Sequence, residues 1–154
     1  MVGSTTSETL NRRGFRLGIG SKSATGFSYD VYFEGEDADD ADNVFIGLGG
    51  SIKKSFGEVG EIQPFVKAGL SFGSTELDND STITYSGDAT QDYVNILAGL
   101  GIEKRIDKNT EVQFGFEFGY RAWDDIQLTD GFNTATAEME DSPKAIFIGL
   151  KRKI

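Results

Sequence analysis

Residues 110–123 read TEVQFGFEFGYRAW and alternate without a break. Val112, Phe114, Phe116, Phe118 and Tyr120 fall on one side of any strand drawn through them. Glu111, Gln113, Gly115, Glu117, Gly119 and Arg121 fall on the other. Because successive side chains of a strand point to opposite faces, this alternation predicts β structure. Six further stretches repeat it: 13–21 (RGFRLGIGS), 26–34 (GFSYDVYFE), 43–55 (NVFIGLGGSIKKS), 62–74 (IQPFVKAGLSFGS), 92–105 (DYVNILAGLGIEKR) and 143–154 (PKAIFIGLKRKI). These segments exceed the usual strand of about 5–6 residues and match the length that crosses a bilayer at a tilt.

The connections alternate short and long. GSKSATG, SFGEVGE and RIDKN are brief and rich in turn-forming residues. Stretches 34–42, 74–92 and 123–142 are long and polar, and TITY at 82–85 reads as a hairpin extension within the second. Short turns at one end and long loops at the other predict one all-β domain over residues 1–154, an up-and-down antiparallel transmembrane β-barrel of the eight-stranded type with seven strands visible. Charge sharpens this polarity. The long loops hold most of the 25 acidic residues, while Lys22, Lys53, Lys54, Lys104, Arg105, Lys108, Lys151, Arg152 and Lys153 sit near the short turns and the C-terminal end.

Which row meets water decides the function. A solvated row normally carries Thr, Lys or Glu. The non-apolar rows here carry Gly18, Gly20, Gly47, Gly49, Gly69, Gly73, Gly99, Gly101, Gly115, Gly119 and Gly149, with charges of both signs between them. Glycine weakens a strand but suits a narrow interior. The expected lumen network is therefore Arg16, Asp30, Lys53, Lys67, Glu103, Glu117 and Arg121, paired because an isolated buried charge costs too much. Glu34, Glu111 and Lys151 share that row. The expected lipid-facing band is Ile46, Leu48, Val66, Leu70, Ile96, Leu100, Phe114, Phe116, Phe118 and Ile148, with Tyr29, Tyr93, Tyr120 and Trp123 near interface depth.

Composition removes most chemistry. A net charge of −10 argues against nucleic acid as a partner. There is no cysteine and no histidine. Gly69–Gly73 (GLSFG) fits the G-x-S-x-G pattern, yet a nucleophile elbow needs a strand-to-helix turn and a basic partner for Ser71. The Gly-x-Gly pairs have no following helix to bind a dinucleotide. Glu36, Asp37, Asp39, Asp40 and Asp42 could supply oxygen ligands to a divalent cation, but their spacing is not that of a calcium loop. No enzyme activity, cofactor or metal is expected.

FVKAGLSFGS, YVNILAGLGIEKRIDKNTEVQFGFEFGYRAW and AIFIGLKRKI together resemble the small outer-membrane β-barrel proteins of Gram-negative bacteria, the OmpA/OmpX-like, porin-family barrel domain. The likeness runs from about residue 13 onward, and Ile154 stands where that family usually ends in Phe. It implies a monomer in the outer membrane, surrounded by lipid and lipopolysaccharide, with a structural or surface-interaction role and loops open to host or matrix ligands. Alternatives are a narrow porin and a soluble lipocalin-like carrier. MVGSTTSETL has no basic region followed by an apolar run, so no signal peptide is read there. VGST at 2–5 reads as the tail of a first strand, implying that upstream residues were trimmed.

Overall fold

A computed structural model describes residues 12–23, 25–38, 41–57, 61–76, 84–85, 90–129 and 134–152. The proposed strand tail at 2–5 lies outside them, as do Asp39 and Asp40. No helix is present among the described residues, and none is long and apolar enough to cross a membrane.

Seven long strands carry the fold: β1 (Arg12–Lys22), β2 (Phe27–Ala38), β3 (Ala41–Ser55), β4 (Ile62–Glu76), β6 (Thr90–Arg105), β7 (Thr110–Trp123) and β11 (Lys144–Arg152). Four short ones complete the set: β5 (Thr84–Tyr85), β8 (Ile126–Thr129), β9 (Thr134–Ala137) and β10 (Glu140–Asp141). Each long strand pairs antiparallel with the next, in the order β1-β2-β3-β4-β6-β7-β11. This up-and-down path follows from the short connections, which leave a strand nowhere to go but back beside its predecessor. The stretch 34–42, expected as a long loop, is instead mostly strand, with only residues 39–40 between β2 and β3. The first turn is closed by Gly26 at φ +81°, a conformation that glycine adopts without strain. In the third, the Asn109 amide donates to Asp107 Oδ1 at 2.7 Å.

β10 and β11 are two pieces of one edge strand interrupted at Pro143. That residue has no N–H to give the ladder, but its carbonyl still accepts from the Gly119 amide at 2.8 Å. β5, β8 and β9 form a separate three-stranded sheet within the long polar connections. Thr84 and Tyr85 of the expected hairpin extension thus pair with β8 instead of with a neighbour in their own loop.

The large sheet is not closed into a barrel. Among the described residues β1 pairs only with β2, and β11 only with β7. It is nonetheless rolled, because side chains from both edges reach across its concave side. Arg16 of β1 meets Glu117 of β7, and Lys151 of β11 meets Asp30 of β2 at 2.8 Å.

Candidate functional site: an ion-paired interior

Burial inverts the usual arrangement. Phe114, Phe116 and Phe118 of β7 are exposed, whereas Glu117 and Arg121 between and beyond them are buried. The same holds across the sheet. Ile46, Leu48, Val66, Leu70, Ile96, Leu100 and Ile148 all stand on the exposed convex face. Lys53 and Arg121 are each only 2 % exposed, and Glu103 only 3 %.

The buried charges are brought together by register. Glu103 of β6 is the hub nearest the short turns. It pairs with Lys53 of β3, accepts from Ser55 Oγ at 2.7 Å and from Gln113 Nε2 at 3.1 Å, and meets Lys22 Nζ at 3.3 Å. Lys22 also reaches Glu111 at 3.1 Å. Further along, Glu117 holds both Arg16 and Lys67. Arg16 Nε donates to Glu34 at 2.9 Å, and the Tyr93 hydroxyl donates to the other oxygen of Glu34 at 3.1 Å. Every charge expected in the lumen has an opposite charge beside it, as burial in a low dielectric demands. Lys22, Glu36 and Asp141 belong to the network as well, and the alternation at the segment ends could have revealed them. Arg121 donates to Glu36 at 2.8 Å, while the Trp123 indole N–H donates to Asp141 at 3.2 Å.

Two residues expected at interface depth lie elsewhere. Tyr93 and Trp123 are inside, at the long-loop end, with Phe45. Their sequence parity places them there: Tyr93 shares a face with Gln91 and Asn95, and Trp123 with Arg121. The Tyr93 and Trp123 rings pack at 5.0 Å, and the Arg121 guanidinium lies 4.6 Å from the centre of the Tyr93 ring. Cation–π contact and a carboxylate thus replace the water that Arg121 loses. Tyr29 and Tyr120 do face outward. Phe65, Leu97 and Phe147 add an apolar share to the interior that the row of glycines and charges did not suggest. Lys53 and Lys67 sit over the Phe65 and Phe147 rings at 4.9 and 4.4 Å.

The glycines explain how these side chains fit. A Cβ on Gly49 would come within 2.6 Å of the Tyr32 ring, and one on Gly73 within 2.5 Å of the Tyr93 ring. Each glycine is the floor under an aromatic side chain. Ser71 is fully buried on the same face, where Asn95 Nδ2 donates to it at 3.3 Å. Among the described residues no cluster of three or more carboxylates is disposed to hold a metal ion. Chemically the arrangement fills space with neutralised charge.

Past the Glu103 hub, in the short turns themselves, the polar side chains are solvated. The Lys104 ammonium lies 2.8 Å from Glu61 and, by that hydrogen bond, holds the Glu61 carboxyl below the usual carboxylate range. The Asn109 amide does the same for Asp107. In comparison with known proteins, the chain matches no family model, no curated protein sequence and no solved structure.

Proposed function

We propose that this protein is an integral outer-membrane β-barrel component with a structural or surface-interaction role, its strands crossing the bilayer and its acidic loops outside. One observation carries the reading: a continuous convex face of exposed Ile, Leu, Val and Phe backed by a concave face of buried ion pairs. In water that arrangement exposes an apolar surface far larger than soluble monomers present. In lipid the apolar row meets hydrocarbon, and the long strands from β2 to β7 are hydrogen-bonded to a neighbour on both flanks. A soluble carrier would instead need an apolar cavity where this chain keeps Lys53, Glu103, Lys67 and Glu117.

The test is refolding. The full chain is expected to aggregate without detergent. In detergent micelles it is expected to give a β-rich circular dichroism spectrum and a gel migration that changes on heating. A monodisperse, detergent-free monomer overturns the proposal.

The same ion pairs favour a scaffold over a pore. Reconstituted in a planar bilayer, the intact chain is expected to give no steady conductance, whereas the Lys67→Ala, Glu117→Ala double variant is expected to leak. Stable ion-selective channels from the unmodified chain would promote the porin.

A further inference from the structure

The convex face changes sign from one end to the other. Toward the short-turn end, Ile52 of β3 is followed at the next convex position by Lys54, and Ile102 of β6 by Lys104. Toward the long-loop end the outward rows close on carboxylates instead: Asp37 of β2, Glu76 of β4, Asp92 of β6 and Glu140 of β10, all exposed. These charges stand on the outer side of the strands and take no part in the buried network. Lys144 breaks the pattern, exposed beside Phe118 where β11 begins at the long-loop side.

The two lysines are held at the apolar border and not beyond it. The ladder seats Lys54 between Phe27 and Val66, its ammonium lies 4.2 Å from the centre of the Phe27 ring, and it donates to the Thr25 carbonyl. No carboxylate pairs with it among the described residues. Lys104 lies between Ile62 and Val112, and pairs at 2.8 Å with Glu61, itself in solvent. One step further along each row another apolar side chain is exposed, Phe56 beyond Lys54 and Ile106 beyond Lys104. An apolar residue past the cation keeps it level with the edge of the hydrocarbon. There the aliphatic stem lies along apolar surface and the ammonium meets headgroups.

We infer that the convex short-turn rim is a docking site for anionic glycerophospholipid of the phosphatidylglycerol kind, with Lys54 and Lys104 each holding a headgroup phosphate. Across β4, Lys54 is level with Leu100, four residues short of Lys104, so the two lysines serve separate headgroups. Charge complementarity selects the end as well as the lipid. The same phosphate at the other rim would face Asp37, Glu76 and Asp92, which repel it. The site rests on the membrane reading and adds to it which lipid is bound and at which rim.

The experiment uses the full chain, isotopically labelled in neutral detergent micelles, and titrates phosphatidylglycerol into it beside a parallel series with phosphatidylcholine. Phosphatidylglycerol is expected to move the amide signals around Lys54 and Lys104 saturably and to leave those around Asp37 and Asp92 in place. Phosphatidylcholine should bind at least about tenfold more weakly. Lys54→Gln and Lys104→Gln should each weaken phosphatidylglycerol binding about fivefold, the equivalent of about 1 kcal/mol. Lys144→Gln should leave it unchanged, and Glu61→Gln should tighten it, because Lys104 then has no carboxylate competing for its ammonium. Equal affinity for the two lipids overturns the site, and so does full binding by the Lys54→Gln, Lys104→Gln double variant. Tighter binding of lipopolysaccharide, with signals moving around Asp37 and Asp92, overturns it in favour of the opposite rim. Flotation with vesicles separates the two readings. A chain that inserts equally into phosphatidylcholine and phosphatidylglycerol vesicles keeps the membrane reading and loses the lipid site. A chain that floats with neither and stays monomeric without detergent loses both.

Discussion

The two faces of β7 are made from one continuous run of sequence, yet they obey opposite rules. Phe114, Phe116 and Phe118 stand on the convex face with little packed over them. Between and beyond them in the same run, Glu117 is clasped by Arg16 and Lys67, and Arg121 by Glu36 and three aromatic rings. On the convex face hydrophobicity is the requirement and shape matters little. On the concave face each polar group depends on a particular partner contributed by a strand distant in sequence. The difference teaches where specificity resides. The apolar row could be shuffled among similar residues, but the network fixes which strand lies opposite which.

Breaking the concave face should have the largest effect. Glu103→Ala strands Lys53, which is buried and has no second carboxylate paired with it among the described residues, and deprives Ser55, Gln113 and Lys22 of an acceptor. Removing one partner of a buried pair typically costs about 3–5 kcal/mol. That loss is expected in denaturant unfolding of the micelle-bound chain. The double variant Lys53→Met, Glu103→Leu removes both charges and is expected to recover most of it. A single variant as stable as the unmodified chain would show that the pair is solvated.

The convex face is tested by the reverse change. Phe116→Arg and Ile96→Arg should each cost about 2–4 kcal/mol if they lie near the bilayer midplane, and less toward either rim. Phe116→Leu should cost under about 1.5 kcal/mol, since the site asks only for an apolar side chain of similar bulk. Equal tolerance of Arg and Leu at both sites, measured by the same unfolding experiment, would place these rows out of lipid and erase the contrast between faces.

The fold was largely legible because alternation has a period that no other element imitates. All seven long strands fall within a few residues of their predicted bounds, and register follows once the short turns are fixed. The inward charges were legible for the same reason, Lys67 with Glu117 included. Two features were not. Residue type alone suggests interface aromatics at Tyr93 and Trp123, whereas their parity with Asn95 and Arg121 puts them inside. β8, β9 and β10 are two to four residues long, too short for a period to register in a polar stretch.

A subtler probe of the concave face is its glycines. Gly49→Val and Gly73→Val each place side-chain atoms where the Tyr32 or Tyr93 ring now lies. Overpacking of this kind typically costs about 1–3 kcal/mol. The cost is expected to shrink in Gly49→Val with Tyr32→Ala, where the nearest atoms that the new side chain meets all belong to Tyr32, and to persist in Gly73→Val with Tyr93→Ala, where the Ile46 carbonyl oxygen also stands in the way. Additive losses in the Gly49 double variant, read from unfolding midpoints, would show that this glycine serves the backbone alone and not the fit of the ring.

The smallest effect is expected where neither face is involved. Asp107 lies in the short turn between β6 and β7, fully solvated, and its carboxylate accepts the Asn109 amide at 2.7 Å. That bond is made by the ionised form, which is why the carboxyl is held below its ordinary value of 3.8. A carboxylate with a depressed pKa in the folded state contributes stability that is fully present above its unfolded value and is lost as pH falls through the folded one. The unmodified chain should therefore exceed Asp107→Ala in stability by a small, constant margin at neutral pH. That margin should begin to close below about pH 4 and vanish as the carboxylate is protonated. High salt should leave most of it intact, because the partner is a backbone amide and not a charged side chain. A margin that persists at low pH would mean that Asp107 acts through turn propensity and not through its charge, and the turn would then be as indifferent to ionisation as the convex face is to shape.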